Sequence, residues 1–134
     1  MPVLLELINR PDAADLADLE KIYADYPRPP HGSFEHWLDA QREVGATLVA
    51  GRFNDRLLAA LWLRDGWVEH LCVRAITRRR GTARQLLQLL QSHAGQLQLK
   101  TLRIASACAG AGELAVLWRQ LGFEPDGSDW VWRR

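Results

Sequence analysis

Three consecutive arginines, Arg78, Arg79 and Arg80, stand directly before Gly81-Thr82-Ala83 in the stretch HLCVRAITRRRGTARQLL. An apolar run precedes them and an amphipathic run follows, so the junction reads strand, loop, helix. A helix N-terminus exposes unpaired N–H groups and carries a partial positive charge. A glycine there lets a bulky anion approach the backbone, and guanidinium groups offer forked donors to phosphate oxygens. Together these features describe a pyrophosphate cradle; the arginines alone would equally fit a solvated basic turn. Other reactive side chains give weaker signals. The histidines at 31, 36, 70 and 93 lack metal-ligand spacing, so no metal is expected. His70 reads as a hydrogen-bonded histidine at the edge of the core, and strand alternation turns it to the face opposite Glu69. Cys72 reads as a small buried hydrophobe. Cys108 lies on a glycine-rich loop with no base evident beside it.

The elements that must position these residues follow from periodicity. Val3–Ile8 is a short apolar run and reads as a strand. Leu16, Leu19, Ile22, Tyr23 and Tyr26 share one helical face, with Asp12 as its N-cap. The stretch PRPPHG, residues 27–32, ends that helix. Ser33 caps a second helix carrying Phe34, Trp37 and Leu38, which stops at Gly45. Two apolar runs flank Asn54-Asp55, and Asp65-Gly66 separates the second from a third, giving three successive antiparallel strands. A helix follows the arginines from about Thr82 to Ala94, burying Ala83, Leu86, Leu87 and Leu90. Thr101–Ala107 is a strand, GELAVLWRQLG is a helix ending at Gly122, and FEPDGSDWVW is a strand, a turn and a last strand. Trp130 and Trp132 alternate on that strand and face one side. The order βααβββαβαβ, with a possible terminal strand, predicts an α+β fold: a mixed twisted sheet with helices on both faces.

Composition sets the bounds. The chain has 134 residues, 48% hydrophobic and 25% charged, with a net charge of +1. That predicts a single domain over residues 1–134. There is no global basic field for nucleic acid or a membrane surface. No run reaches the ~18–20 apolar residues of a membrane span, and MPVLLELINRPD is too short and too charged for a signal peptide. Two cysteines make no disulfide scaffold. A soluble cytoplasmic protein is expected.

The segment Arg78–Ala83 fits the pattern Arg/Gln-x-x-Gly-x-Gly/Ala, with Ala83 at the second small position, and Leu121-Gly122-Phe123 follows a later short helix. This order resembles the GNAT (Gcn5-related N-acetyltransferase) superfamily over nearly the whole chain. The resemblance implies acetyl-CoA as cofactor. It implies that the backbone of Leu71, Cys72 and Val73 pairs with the pantetheine arm where the central strand splays from its neighbour. It also implies that the loop amides of Thr77, Arg78, Arg79, Arg80, Gly81, Thr82, Ala83 and Arg84 wrap the pyrophosphate. Glu69 falls where several such enzymes place a general base; it also reads as a strand carboxylate paired with a neighbouring arginine. The position four residues before Gly122, where many place a tyrosine acid, is Trp118, and an indole does not act as an acid near neutral pH.

Within that superfamily, RFNDRLLAA (Arg52–Ala60), LCVRAITRRRG (Leu71–Gly81) and LGF are similar to the PanZ/PanM group. That resemblance implies an acetyl-CoA-binding regulator that partners the aspartate decarboxylase proenzyme of pantothenate synthesis and promotes its maturation. Arg52 and Asn54 are then candidates for contacting the proenzyme. Two alternatives stand beside this reading: an active N-acetyltransferase on a small amine or peptide N-terminus, and a domain that only binds protein.

Overall fold

Asp12 opens the first helix as its sequence position predicts: its carboxylate accepts the Asp15 N–H at 2.8 Å while its own backbone stays extended. The computed structural model describes residues 2–26, 33–74, 81–105 and 115–134. Along the chain these form β1 (Leu4–Ile8), α1 (Ala13–Ile22), α2 (Phe34–Glu43), β2 (Thr47–Phe53), β3 (Arg56–Arg64) and β4 (Trp67–Val73). Then come α3 (Thr82–Ser92), β5 (Thr101–Ile104), α4 (Ala115–Gln120), β6 (Glu124–Asp126) and β7 (Asp129–Arg133). Asn54 and Asp55 have φ of 48° and 63°, Asp65 and Gly66 of 51° and 84°. Positive φ at both central residues is the two-residue hairpin turn whose twist matches its strands. Several boundaries differ from expectation. β1 begins at Leu4, Tyr23 and Tyr26 lie beyond α1, α3 ends at Ser92, β5 stops at Ile104 and α4 ends at Gln120.

The seven strands form one sheet in the order β1-β2-β3-β4-β5-β7-β6, and only β4 and β5 run parallel. Alternation along β2 and β3 sorts side chains onto two cores. Leu48, Ala50, Ala60 and Trp62 meet Leu19, Ile22, Trp37 and Leu38 of α1 and α2. Val49, Ala59 and Leu61 meet Leu86, Leu87 and Leu90 of α3 and Trp118 of α4, with Trp130 and Trp132 packed on the same cluster. Helices therefore cover both faces of a mixed sheet, as the α+β reading requires. No helix among the described residues is long and apolar enough to cross a membrane.

Two acidic residues of α1 turn inward, where the periodicity places only apolar groups. Asp18, 2% exposed, accepts Arg56 Nε and Nη2 at 3.0 and 2.7 Å and the Leu57 N–H at 3.0 Å. Burial raises its pKa, but the hydrogen bonds from Arg56 and Leu57 outweigh burial and hold it below its ordinary value of 3.8. Asp18→Ala would leave the buried Leu57 N–H without that acceptor, so it is expected to cost about 1–3 kcal/mol in urea unfolding. The sign with pH follows. A carboxyl depressed in the folded state contributes stability above its unfolded pKa, and that share is lost as pH falls through the folded value. Wild type therefore loses stability below about pH 4 more steeply than Asp18→Asn.

Candidate functional site

β4 carries the candidates Glu69, Leu71, Cys72 and Val73, and its register breaks in the middle. Cys72 stands opposite Ala60 and Glu69 opposite Trp62, so His70 and Leu71 together face the single residue Leu61. This is a β-bulge, and His70 occupies it with φ of 52°. On the other edge, the parallel ladder with β5 consists of Trp67↔Arg103 and Val68↔Ile104 and ends there, while β4 runs on to Val73. The ladder thus ends where β5 ends, two residues before the bulge. Leu71, Cys72 and Val73, whose backbone is expected to pair with a cofactor arm, all lie on β4 beyond the end of that ladder.

The bulge is held by residues from the end of α1. The Tyr23 hydroxyl donates to the His70 carbonyl at 2.7 Å, and the Tyr26 hydroxyl pairs with His70 Nδ1 at 2.7 Å. The Cys72 thiol donates to the Ile22 carbonyl at 3.1 Å and is half-buried rather than the fully buried hydrophobe expected. Tyr23 is fully buried, and burial drives its phenol pKa well up, so its hydroxyl stays protonated. Burial likewise lowers the His70 pKa, against a smaller opposing effect of Glu69. The alternation expected of His70 fails here. Glu69 stands opposite Trp62, and His70 packs on Trp37 and Tyr26 at ring separations of 5.3 and 5.6 Å, rings of the cluster that contains Trp62. The bulge thus turns both residues toward α1 and α2. Periodicity places the tyrosines only on the apolar face of the first helix; their spacing of three with a histidine on a distant strand carries no local signal.

Glu69 accepts both Arg64 Nε at 2.9 Å and Nη2 at 3.1 Å. Those hydrogen bonds outweigh partial burial and hold its pKa below the ordinary carboxylate range. Of its two readings, the arginine-paired strand carboxylate has a partner in Arg64, and a carboxylate held in this way is a poorer proton acceptor. Trp118 is 2% exposed and packs edge-on to Phe123 at 6.0 Å.

α3 packs on the sheet face that carries Leu71 and Val73 of β4. Its N-cap is Gly81, with φ of 75°, and a Cβ built there would meet nothing within 4 Å. Conformation rather than crowding demands glycine, and the space over the helix start is open. Thr82 is buried, Ala83 and Arg84 half-buried, and the Arg84 guanidinium donates to the Gln120 side chain of α4. The expected cradle residues Thr77, Arg78, Arg79 and Arg80 lie outside the described residues, as does Cys108. Among the described residues, no group of three or more His, Cys, Asp or Glu side chains can hold a metal ion.

The hairpin between β2 and β3 separates its two candidates. Asn54 is exposed at the tip. Arg52 is turned inward: Nε and Nη2 bind Glu6 at 2.6 and 3.1 Å, Nη2 also binds Asp15 at 3.1 Å, and Nη1 donates to the Asp55 carbonyl at 3.1 Å. Its pKa rises, chiefly through the Glu6 hydrogen bond. With Arg56 on Asp18, both arginines flanking the turn are anchored to α1.

The family described as the acetyltransferase (GNAT) domain PanZ matches residues 2–130. No curated protein matches the chain. Among solved structures, E. coli YhhK bound to coenzyme A superposes with a TM-score of 0.68 at 25% identity, covering 100% of each chain. An N-acetyltransferase from Staphylococcus aureus Mu50 gives a TM-score of 0.72 at 17% identity, covering 99% of each. A GNAT family acetyltransferase from Elizabethkingia anophelis, with acetyl-CoA bound, gives 0.68 at 14% identity over 98% of each chain.

Proposed function

Because the chain belongs to the PanZ family of GNAT acetyltransferase domains, we propose that it binds acetyl-CoA and acts as a cytoplasmic maturation factor for the aspartate decarboxylase proenzyme, with little acetyl transfer of its own. The observation that carries the binding half is the bulged end of β4, which runs on to Val73 past the last pair of its ladder with β5. An extended pantetheine arm fits a strand edge of that kind as an added strand. Gly81, open and left-handed at the start of an eleven-residue helix, fits the approach of a pyrophosphate. YhhK, 25% identical over its full length, is bound to coenzyme A. Acetyl-CoA would supply an activated acetyl thioester. On this chain's side, Leu71, Cys72 and Val73 hold the arm, and the residues Thr77 to Arg84 hold the phosphates.

Weak turnover follows from the same geometry. Transfer needs a group to take the amine proton and one to return a proton to the leaving thiolate. Glu69 is held by Arg64, and Trp118 is a buried indole at the position of the usual acid. Calorimetry is expected to detect acetyl-CoA binding. Melting curves should show about 2.7 kcal/mol of added stability at a hundred times the dissociation constant. An amine panel is expected to give background acetylation. Multiple turnovers that vanish in Glu69→Gln would put the acetyltransferase reading first.

The partner half is tested at the hairpin. Asn54 is the exposed candidate, whereas Arg52 buttresses the turn from behind. Asn54→Gly keeps the positive φ that alanine would strain. It is expected to leave acetyl-CoA affinity intact and to slow proenzyme cleavage, followed by mass spectrometry of the processed chains. Wild-type protein that neither binds the proenzyme nor changes its cleavage, with or without acetyl-CoA, removes the maturation role.

A further inference from the structure

A histidine with φ of 52° in the middle of a central strand needs a cause. Residues with side chains persist in the left-handed region only where their surroundings over-determine them, although histidine tolerates it better than most. Here the surroundings are two phenols. Tyr23 sits at the C-cap of α1 and donates to the His70 backbone carbonyl. Tyr26, one turn further on, takes the imidazole through Nδ1. A carbonyl that accepts a buried hydroxyl from the α1 side is turned out of the sheet ladder. The ladder between β4 and β5 ends one residue before Glu69, at Val68↔Ile104. Trp37 closes against both tyrosine rings and the imidazole at centroid distances of 5.1, 6.2 and 5.3 Å, so none of the three is free to swing away.

We propose that Tyr23 and Tyr26 are positioning residues for the cofactor slot: by fixing the carbonyl and the imidazole of His70 they hold the left-handed bulge that leads into Leu71–Val73, the part of β4 beyond its ladder with β5. The inference rests on the acetyl-CoA reading above. It gives a purpose to two hydroxyls that neither core packing nor helix formation requires, since phenylalanine would fill the same space. It also explains why the end of α1 is tied to β4 at alternate carbonyl and side-chain groups rather than by apolar contact alone.

The test measures acetyl-CoA affinity by calorimetry on wild type, Tyr23→Phe, Tyr26→Phe, His70→Gly and the Tyr23→Phe/His70→Gly double variant, each checked for folding by circular dichroism. Each phenylalanine variant is expected to weaken binding by about fivefold to tenfold, the range of one buried hydrogen bond. Glycine adopts a positive φ without support, so the double variant is expected to bind as His70→Gly does and more tightly than Tyr23→Phe. A merely structural role for the tyrosines would lower the melting temperature and leave the dissociation constant of the folded fraction alone, with no rescue by glycine. Should Tyr23→Phe fail to fold, Tyr26→Phe, at the half-buried position, carries the comparison alone. Folded phenylalanine variants that bind acetyl-CoA as wild type does overturn this inference only. Wild type that binds none overturns the acetyl-CoA reading and the inference with it.

Discussion

A double variant, Arg79→Glu/Arg80→Glu, is expected to bind acetyl-CoA at least a hundredfold more weakly than wild type while folding normally. A hydrogen bond to a charged group contributes on the order of 1.5–3 kcal/mol. Losing two removes about 3–6 kcal/mol, and each 1.4 kcal/mol is a factor of ten. Reversal does more than remove donors, because it sets two carboxylates against the phosphates. The folded core should not respond: α3 is held by Leu86, Leu87 and Leu90, which lie beyond the helix start. In the proposed cradle the backbone at Gly81 would provide the approach, so the arginines' share is separable from the backbone's. Raising the salt concentration should narrow the difference, since exposed charges are screened beyond about 8–10 Å at physiological ionic strength. Calorimetry at two salt concentrations checks both statements. An unchanged dissociation constant in the folded double variant removes the cradle.

Local patterns carried most of the elements and little of their arrangement. The Asn54-Asp55 turn was legible because few residue pairs accept two positive φ angles, and the strands on either side follow from it. The buried face of α3 was legible because Leu86, Leu87 and Leu90 repeat at helical spacing. The inward turn of Asp15 and Asp18 was not, because a carboxylate on an apolar face is stable only when a distant arginine meets it; Arg52 and Arg56 lie 37 and 38 residues away. The bulge at His70 escaped for the same reason. Strand alternation predicts its side chain correctly only if every residue takes one step, and what makes His70 depart from that step is a tyrosine 47 residues earlier. The Leu-Gly-Phe and arginine-glycine motifs pointed to the GNAT superfamily because each is a short contiguous pattern, and the family match over residues 2–130 agrees. Glu69 stood between two readings because its nearest arginine, Arg64, is reached only across a hairpin.

Acetyl-CoA and the proenzyme are expected to tighten each other's binding by one common factor, in the range of about 5–150-fold that couplings of this kind span. The physical link is α1. Asp15 in its first turn and Asp18 in its middle hold the two arginines that flank the hairpin tip. At its end Ile22, Tyr23 and the following Tyr26 hold Cys72 and His70 of β4. The helix thus ties the proposed partner surface to the proposed cofactor slot through hydrogen bonds at both ends, and ligand that orders one end reduces what the other must spend on ordering. Two titrations check the cycle: proenzyme into the protein with and without saturating acetyl-CoA, and acetyl-CoA into the protein with and without saturating proenzyme. Binding free energies must close around that cycle, so the two ratios are expected to agree. Asp15→Asn, which weakens the tie to Arg52 and leaves Asn54 and Leu71–Val73 unchanged, should reduce the ratio toward one and leave acetyl-CoA binding to the isolated protein little changed. Wild-type protein that binds both ligands with a ratio of one would mean that tip and slot act independently, and that acetyl-CoA does not control maturation through α1.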